Sequence, residues 1–233
     1  MTSLPKGAPP LRGVFFDLDG TLYETPMWFK ARIALRLARQ ISLLRQLGRS
    51  RDAIRTKRYP DGETLREAMF QELATRSQKD IALCREFYEV SFLDAFVKLL
   101  RARCHARPGL EQRLRALRSS GVKLAVVSDY PRIKERLSAI GLTPDLFDLL
   151  VTAEDAGALK PSPLSFQQAA RQLQLDPEQV LVVGDRRDMD QAAASAASMR
   201  FLGVADRGDT ELLPWPELST ELEKVAKLAQ QGP

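Results

Sequence analysis

Short apolar runs that end in a polar residue recur along this chain. The clearest are residues 13–16, 123–128 and 180–185, with weaker examples at residues 149–152 and 200–204. Runs this short and this apolar are typical of strands that are buried on both faces of a sheet. Helical patterns separate the runs, at residues 110–119, 132–140, 163–173 and 188–197. Strands that alternate with helices predict an α/β protein with a doubly wound parallel sheet.

Residues 24–105 (the cap) interrupt this alternation, because they show helical patterns alone. Thr25 followed by Pro26 predicts the start of a first helix, and the apolar spacing continues to Gly48, which can end it. The Tyr-Pro-Asp-Gly sequence at residues 59–62 is typical of a turn. The cap is therefore expected to be all helical.

A second long helix is expected in the rest of the cap. Ser77 and Asp80 have the spacing of a capping box, and the helical run after them continues to Arg103. We expect a core made of residues 1–23 and 106–233, with the cap inserted after the first strand. Pro or Gly lies close to both crossings between the two parts, so the cap is expected to rock as a unit.

The composition restricts the chemistry that the chain can support. The chain has 233 residues, two cysteines and a single histidine, so a disulfide framework, a zinc site and a histidine-based triad are not expected. No apolar stretch reaches the roughly 18 residues of a membrane span, and residues 1–10 lack the apolar centre of a signal peptide. We therefore expect a cytoplasmic protein. No GxxxxGK[ST] motif is present, which argues against a P-loop nucleotide hydrolase.

Basic residues are concentrated in the cap. The net charge is +5, and residues 30–58 contain about ten lysines and arginines against Asp52 alone. Such a segment could bind anionic lipid or nucleic acid, although its few aromatic residues weaken the nucleic-acid interpretation. The favoured interpretation is a solvated outer helix face, and attraction of an anionic substrate is compatible with either one. No nucleic-acid partner is expected, and the choice between monomer and dimer stays open.

Polar residues end three of the apolar runs, at Asp17, Ser128 and Asp185. Ligands of an open parallel sheet bind beyond the carboxyl ends of its strands, so these residues are expected at one edge. A single Asp or Ser at the end of a strand is often only a turn former or a helix cap, but three together favour a ligand site. Lys160 precedes Pro161 in a turn that can aim its ammonium inward.

The strongest motif is the DLDGT sequence that starts at Asp17. Asp17 can present a nucleophilic oxygen and a metal-ligand oxygen together, Asp19 is close enough for proton transfer, and Gly20 lets the backbone turn sharply. Close carboxylates repel one another, which suits a bound divalent cation. Asp185 and Asp190 add oxygen ligands, and a set without nitrogen or sulfur favours Mg²⁺ over zinc.

The order of these motifs resembles that of the haloacid dehalogenase superfamily. The chain resembles a phosphoglycolate phosphatase-like hydrolase of that superfamily with a helical cap, and the resemblance spans residues 12–205. It implies that Asp17 is a nucleophile that forms an aspartyl-phosphate. It also implies that Asp19 protonates the leaving oxygen and then activates water.

The resemblance further implies a phosphate site and a metal site. Ser128 would hold phosphoryl oxygens, and Lys160 would neutralise charge on the nucleophile and on the phosphate. The implied phosphate-binding residues are Asp17, Gly20, Thr21, Ser128, Asp129 and Lys160. Mg²⁺ would be bound by Asp17, by the backbone carbonyl of Asp19 and by Asp185, with Asp190 acting directly or through water.

Two positions depart from the family pattern. Asp129 replaces an Asn that often follows the serine, and Met189 replaces an Asn that is common just before the last acid. The sequence offers no explanation for an extra negative charge at Asp129, beside a phosphate site. Asp188 is expected to start a helix rather than to bind the metal.

The resemblance implies hydrolysis of a small phosphorylated metabolite, such as a sugar phosphate, phosphoglycolate or a nucleoside monophosphate. A dehalogenase would share the fold and Asp17 but does not need Asp19, and a phosphonate hydrolase meets a similar objection. A phosphomutase keeps both acids and remains an alternative. The other alternative is a non-catalytic protein that binds anions, membranes or nucleic acid through the basic cap.

Overall fold

A parallel sheet forms the centre of the computed structural model, which describes residues 9–205 and 211–230. The described strands are β1 (Gly13–Phe16), β2 (Lys123–Ser128), β3 (Leu149–Thr152), β4 (Val180–Gly184) and β5 (Arg200–Gly203). They form one sheet in the order β3-β2-β1-β4-β5, and every pair is parallel. The expected α/β fold is confirmed, with the strand before Asp17 in the middle. Residues 1–8, 206–210 and 231–233 of the predicted core lie outside the described ranges.

Apolar residues on both faces explain why these runs are strands. Neighbouring side chains of β1 point to opposite faces. Phe15 packs in a cluster with Phe166 and Val182, whereas Phe16 belongs to the cluster that contains Leu114. The helices that cover the two faces are α6 (Leu110–Ser119), α7 (Ile133–Ala139), α8 (Leu164–Gln172), α9 (Ala192–Ala196) and α10 (Trp215–Gln230).

Helices are the only regular secondary structure in the cap, and its apolar residues continue the interior of the core. Its α-helices are α1 (Phe29–Arg36), α2 (Ile41–Arg55), α3 (Gly62–Ser77), α4 (Ile81–Glu86) and α5 (Leu93–Arg103), with a π-helical turn over Phe87–Phe92. Leu47 and Phe70 of the cap lie in the same apolar cluster as Val14 of β1. The inserted helical cap is therefore present, while its division from the core at 24–105 stays a prediction.

The first cap helix differs from the prediction at both ends. It begins at Phe29 rather than at Pro26, and it ends at Arg36. The chain then makes a short 3-10 turn before α2, which runs straight through Gly48. A glycine inside a helix costs only about 1 kcal/mol, and the buried faces of Leu47 and Ile54 keep the helix intact around it.

The predicted capping box is also wrong, because Ser77 is the last residue of α3. Its hydroxyl donates to the Leu73 carbonyl at 2.6 Å, and Gln78 ends the helix in a left-handed conformation. Asp80 alone caps α4, where its carboxylate accepts from the Ala82 N–H at 2.7 Å. Within the described part of the chain, every helix is too short or too polar to serve as a membrane span.

Candidate active site

Asp17 directly follows β1 at the carboxyl edge of the sheet. Its backbone N–H donates to the Val183 carbonyl at 2.9 Å, which continues the pairing with β4. The chain turns at Gly20, whose φ of +89° is a conformation that favours glycine. After the turn, the Thr21 hydroxyl donates a hydrogen bond to Asp17 Oδ2 at 3.3 Å. The turn therefore holds the Asp17 carboxylate in a defined place.

Arg107 fixes this turn from the other crossing between cap and core. The guanidinium is buried and donates to the Gly20 carbonyl at 2.7 Å and to the Thr21 carbonyl at 2.8 Å. Beside it, Tyr23 and Ala106 form an antiparallel bridge, so the two crossings lie next to each other. The two chain segments that join cap and core therefore lie side by side, next to the turn that follows Asp17.

The Lys160 ammonium lies between two carboxylates. Its Nζ is 2.6 Å from Asp17 Oδ1 and 2.7 Å from Asp190 Oδ1, and the side chain is almost completely buried. Burial alone would lower the pKa of Lys160, but Asp17 and Asp190 outweigh burial and raise it. Lys160 is therefore a permanent positive charge beside Asp17.

Among the residues that the structure describes, three carboxylates form a cluster that could hold a metal ion. Asp17, Asp185 and Asp190 each offer one oxygen, and these oxygens all lie within 4.8 Å of one another. Gly184 leaves the room for this arrangement, because a Cβ there would be 2.4 Å from the Asp190 Cβ. An all-oxygen set of this size suits Mg²⁺. Asp188 points outward and pairs with Arg186 at 2.7 Å, so it is not part of this cluster.

Asp17 has an unusual proton affinity. Burial raises its pKa, Lys160 lowers it, and Asp190 and Asp19 raise it again, so that the pKa lies at about 7 instead of 3.8. Burial, together with the negative charges of Asp190 and Asp19, explains why the pKa is raised. A divalent cation would favour the ionised form of Asp17.

The Asp19 carboxylate is held by two residues that the sequence did not identify. Its Oδ2 accepts a hydrogen bond from Arg136, and its Oδ1 accepts one from the Tyr23 hydroxyl at 2.7 Å. Arg136 is completely buried and also donates to the Ser128 hydroxyl at 3.0 Å. One arginine thus connects the predicted acid/base residue with the predicted phosphate-binding serine.

Replacing Arg136 with Gln is expected to destabilise the protein by about 2–3 kcal/mol. The change breaks an ion pair of which one member is fully buried, and the partial exposure of Asp19 keeps the loss below that of a wholly buried pair. Urea unfolding measures the difference. Replacing Arg115 with Gln is the control, because Arg115 forms only an exposed pair with Glu111 and should leave the midpoint unchanged. Equal midpoints for both variants would contradict the expected contribution of Arg136 to the stability of the fold.

Asp129 meets the cap. Its Oδ2 pairs with Arg55 of α2 at 2.9 Å, and its backbone carbonyl accepts from Arg51 at 2.7 Å. Arg51 also forms a buried ion pair with Glu154 at 2.6 Å. No local sequence pattern identifies these arginines, because their partners are distant in the chain.

The comparisons with known proteins agree with this fold. The family model for haloacid dehalogenase-like hydrolases matches residues 11–198. A phosphoglycolate phosphatase of Nitrosospira multiformis is 28% identical over 96% of this chain and 97% of its own length. A phosphoglycolate phosphatase of Neisseria meningitidis is 30% identical over 87% of this chain and 84% of its own. The crystal structure of a 2-haloacid dehalogenase from Pseudomonas syringae shares the fold, with a TM-score of 0.59 and 24% identity over 95% of this chain and 99% of that one.

The chain belongs to the haloacid dehalogenase-like hydrolases, as its motifs indicated. Relatives that match nearly its whole length are named as phosphatases. The class expected from the motifs, a phosphoric monoester hydrolase, agrees with them.

Proposed function

We propose that this protein is a Mg²⁺-dependent phosphatase that hydrolyses a small phosphate monoester through an aspartyl-phosphate on Asp17. The observation that carries the proposal is the buried arrangement in which Asp17 contacts the Lys160 ammonium and lies beside Asp185 and Asp190. A carboxylate nucleophile needs a neighbouring positive charge where negative charge collects. Relatives that match most of the length of this chain are named as phosphatases, which supports the same reaction.

Asp17 and Asp19 divide the chemistry between them. An Asp17 carboxylate oxygen attacks the phosphorus, while Asp19 gives a proton to the leaving alkoxide. Water then attacks the phosphorus of the aspartyl-phosphate, and Asp19 takes the proton from that water. Asp17 is regenerated, and phosphate leaves. Arg136 and Tyr23 orient the Asp19 carboxylate between the two steps.

The remaining residues bind and neutralise the phosphoryl group. The Ser128 hydroxyl, the backbone at Asp129 and the turn of Gly20 and Thr21 would hold its oxygens, and the Lys160 ammonium would offset their charge. Asp17, Asp185 and Asp190 would hold Mg²⁺ together with the Asp19 backbone carbonyl. The ion would neutralise negative charge on the phosphoryl oxygens.

The substrate is proposed at the level of a chemical class. Two relatives named phosphoglycolate phosphatase support a small phosphorylated metabolite as the substrate of this chain too. Sugar phosphates and nucleoside monophosphates belong to the same class. A cytoplasmic location without a nucleic-acid partner stays a prediction from the sequence.

A substrate panel tests the proposal. The full chain is assayed with Mg²⁺ against phosphoglycolate, sugar phosphates, nucleoside monophosphates and 2-haloacids, with an Asp17→Asn sample as the control for contaminating phosphatase. Release of phosphate from at least one ester by the wild type, absent from the control, is the expected result. Halide release without any phosphate release would contradict the proposal and would indicate a dehalogenase.

Mg²⁺ binding is expected to weaken about tenfold from pH 8 to pH 6. The pKa of Asp17 lies at about 7 without a metal, so below that pH a proton occupies the carboxylate and Mg²⁺ must displace it. Calorimetric titration at the two pH values, in buffers of different ionisation enthalpy, measures both the affinity and the released proton. Asp17→Asn should bind Mg²⁺ more weakly and without this pH dependence. Equal wild-type affinities at the two pH values would contradict the expectation.

A further inference from the structure

The cap covers the loop that carries Lys160, between β3 and α8. The Tyr59 N–H donates to the Gly157 carbonyl at 2.9 Å, and a Cβ on Gly157 would lie 2.5 Å from the Tyr59 carbonyl. Gly62 approaches the same loop as closely, because its Cβ would lie 2.6 Å from the Glu154 carbonyl. Cap and loop therefore touch backbone to backbone, and any separation of the two uncovers the segment that leads to Lys160.

Arg51 and Arg55 of α2 turn away from the solvated face of the basic cap. Arg51 is buried and stands 4.2 Å from the centre of the Tyr130 ring, in addition to its contacts with Glu154 and Asp129. The Arg55 side chain is 14% exposed. Their positive charges are directed at the core loops on either side of the site rather than at solvent.

Arg55 and Asp129 together hold both backbone polar groups of Lys160. The Arg55 Nη1 donates to the Lys160 carbonyl at 2.5 Å, and the Lys160 N–H donates to Asp129 Oδ1 at 3.1 Å. The same Arg55 nitrogen donates to Asp129 Oδ2 at 2.9 Å. The three residues close a ring of contacts, and the other end of Lys160 reaches Asp17.

The negative charge of Asp129 has a partner in this ring. An Asn could still accept from the Lys160 N–H, but it could not form the ion pair with Arg55. Burial would raise the pKa of Asp129, yet Lys160, Arg51 and Arg55 outweigh it and hold the pKa below its usual value. The Met189 sulfur also lies 3.5 Å from Arg55 Nη1. Both departures from the family pattern are therefore contacts of Arg55.

We propose that Arg55 is a positioning residue of the cap, which acts with Asp129 to fix the backbone of Lys160 and thereby the place of its ammonium beside Asp17. Cap position and Lys160 position are then coupled. Arg55 of α2 binds the Lys160 carbonyl directly, and it also binds Asp129, which accepts from the Lys160 N–H. The consequence for turnover rests on the proposed function, but the placement of Lys160 does not.

Turnover by Arg55→Gln, Asp129→Asn and the double variant tests the catalytic consequence. Each single change is expected to lower kcat by about 10- to 100-fold with little change in KM, because a displaced catalytic group slows chemistry more than binding. The double variant should be no slower than the slower single variant, since both changes break the same ring. Arg55→Lys keeps the charge and should recover part of kcat.

Asp94→Asn is the matched control. Asp94 of α5 pairs with Arg132 of the core at 2.5 Å, so this variant also removes a charged contact between cap and core but leaves the Lys160 ring untouched. Its kcat should stay within about twofold of the wild type. A loss equal to that of Arg55→Gln would mean that any loosening of the cap has the same effect, which would overturn the proposal.

Hydrogen exchange of the Lys160 amide, measured by NMR without substrate or metal, tests the placement itself. Arg55→Gln is expected to speed this exchange about tenfold relative to the wild type, whereas Asp94→Asn should not change it. Unchanged exchange in Arg55→Gln would overturn the proposal. A rise in KM alone would also overturn it, and would assign Arg55 to substrate contact instead. If the wild type hydrolyses no phosphate ester, the proposed function fails, and this exchange still decides the role of Arg55.

Discussion

Asp17→Asn is expected to lower turnover by about 10⁵-fold or more, because an amide cannot form the acyl-phosphate on which the reaction depends. The side chain keeps its size, and its remaining carbonyl oxygen can still accept from Lys160 or from Thr21. Steady-state assays with Mg²⁺ and the best phosphate ester of the panel measure the loss. Circular dichroism and urea unfolding show whether the fold is kept.

Asp188→Asn is the matched control for this change. Asp188 lies at the same edge of the sheet, but its carboxylate points outward and pairs with Arg186. The same chemical change there should leave turnover within about twofold of the wild type. Turnover by a folded Asp17→Asn protein at more than about one-hundredth of the wild-type rate would mean that another group attacks the phosphorus.

Asp19→Asn is expected to lower kcat by about 10²–10⁴-fold on an alkyl phosphate. The variant can neither protonate the leaving alkoxide nor take the proton from water, so both steps slow. The leaving group separates the two roles. An aryl phosphate, whose leaving group needs no proton, should react normally in the first step and stall in the second.

Pre-steady-state kinetics with both esters measures these two steps. The aryl phosphate should give a burst of phenol of about one equivalent per chain, followed by slow turnover. The alkyl phosphate should give no burst. Equal slowing of both esters in the first step would contradict a proton-transfer role for Asp19. It would indicate instead that Asp19, through its contacts with Arg136 and Tyr23, keeps the site in shape.

The strands were predictable because they are short and mainly apolar, and the central strands β1 and β4 are buried along their whole length. The observed β2 and β3 have the predicted bounds, and α6 begins and ends where its apolar spacing does. The closeness of Asp17 to Asp185 follows from the same physics, since β1 and β4 are parallel neighbours whose carboxyl ends share an edge. The strand pattern alone therefore predicts that Asp17 and Asp185 lie close together.

The cap was predictable in kind but not in detail. The helical spacing predicts helices where the cap has them, while the start and stop signals at Pro26, Gly48 and Ser77 do not mark the observed ends. Start and stop signals are worth about 1 kcal/mol, and the burial of Leu47, Ile54 and their neighbours outweighs them. Local signals decide a boundary only where packing leaves the choice open.

The residues that orient the site could not be read from the sequence. Arg136 reaches Asp19 from α7, and Arg51 and Arg55 reach the core from α2. An arginine on a helix is usually solvated, so the sequence of the basic stretch predicts an outer face. That holds for exposed Arg45 but not for the two that turn inward. Only the fold shows which arginines turn inward.

Rapid quenching of Asp19→Asn during its reaction with an aryl phosphate and Mg²⁺ tests the central claim most directly. The first step proceeds in this variant and the second is slow, so the intermediate should accumulate and be found by peptide mass spectrometry. The account predicts about one phosphoryl group per chain, attached to Asp17. The same protein with Asp17→Asn added should carry none. A phosphoryl group on another residue, or a burst of phenol without any phosphorylated peptide, would contradict the account.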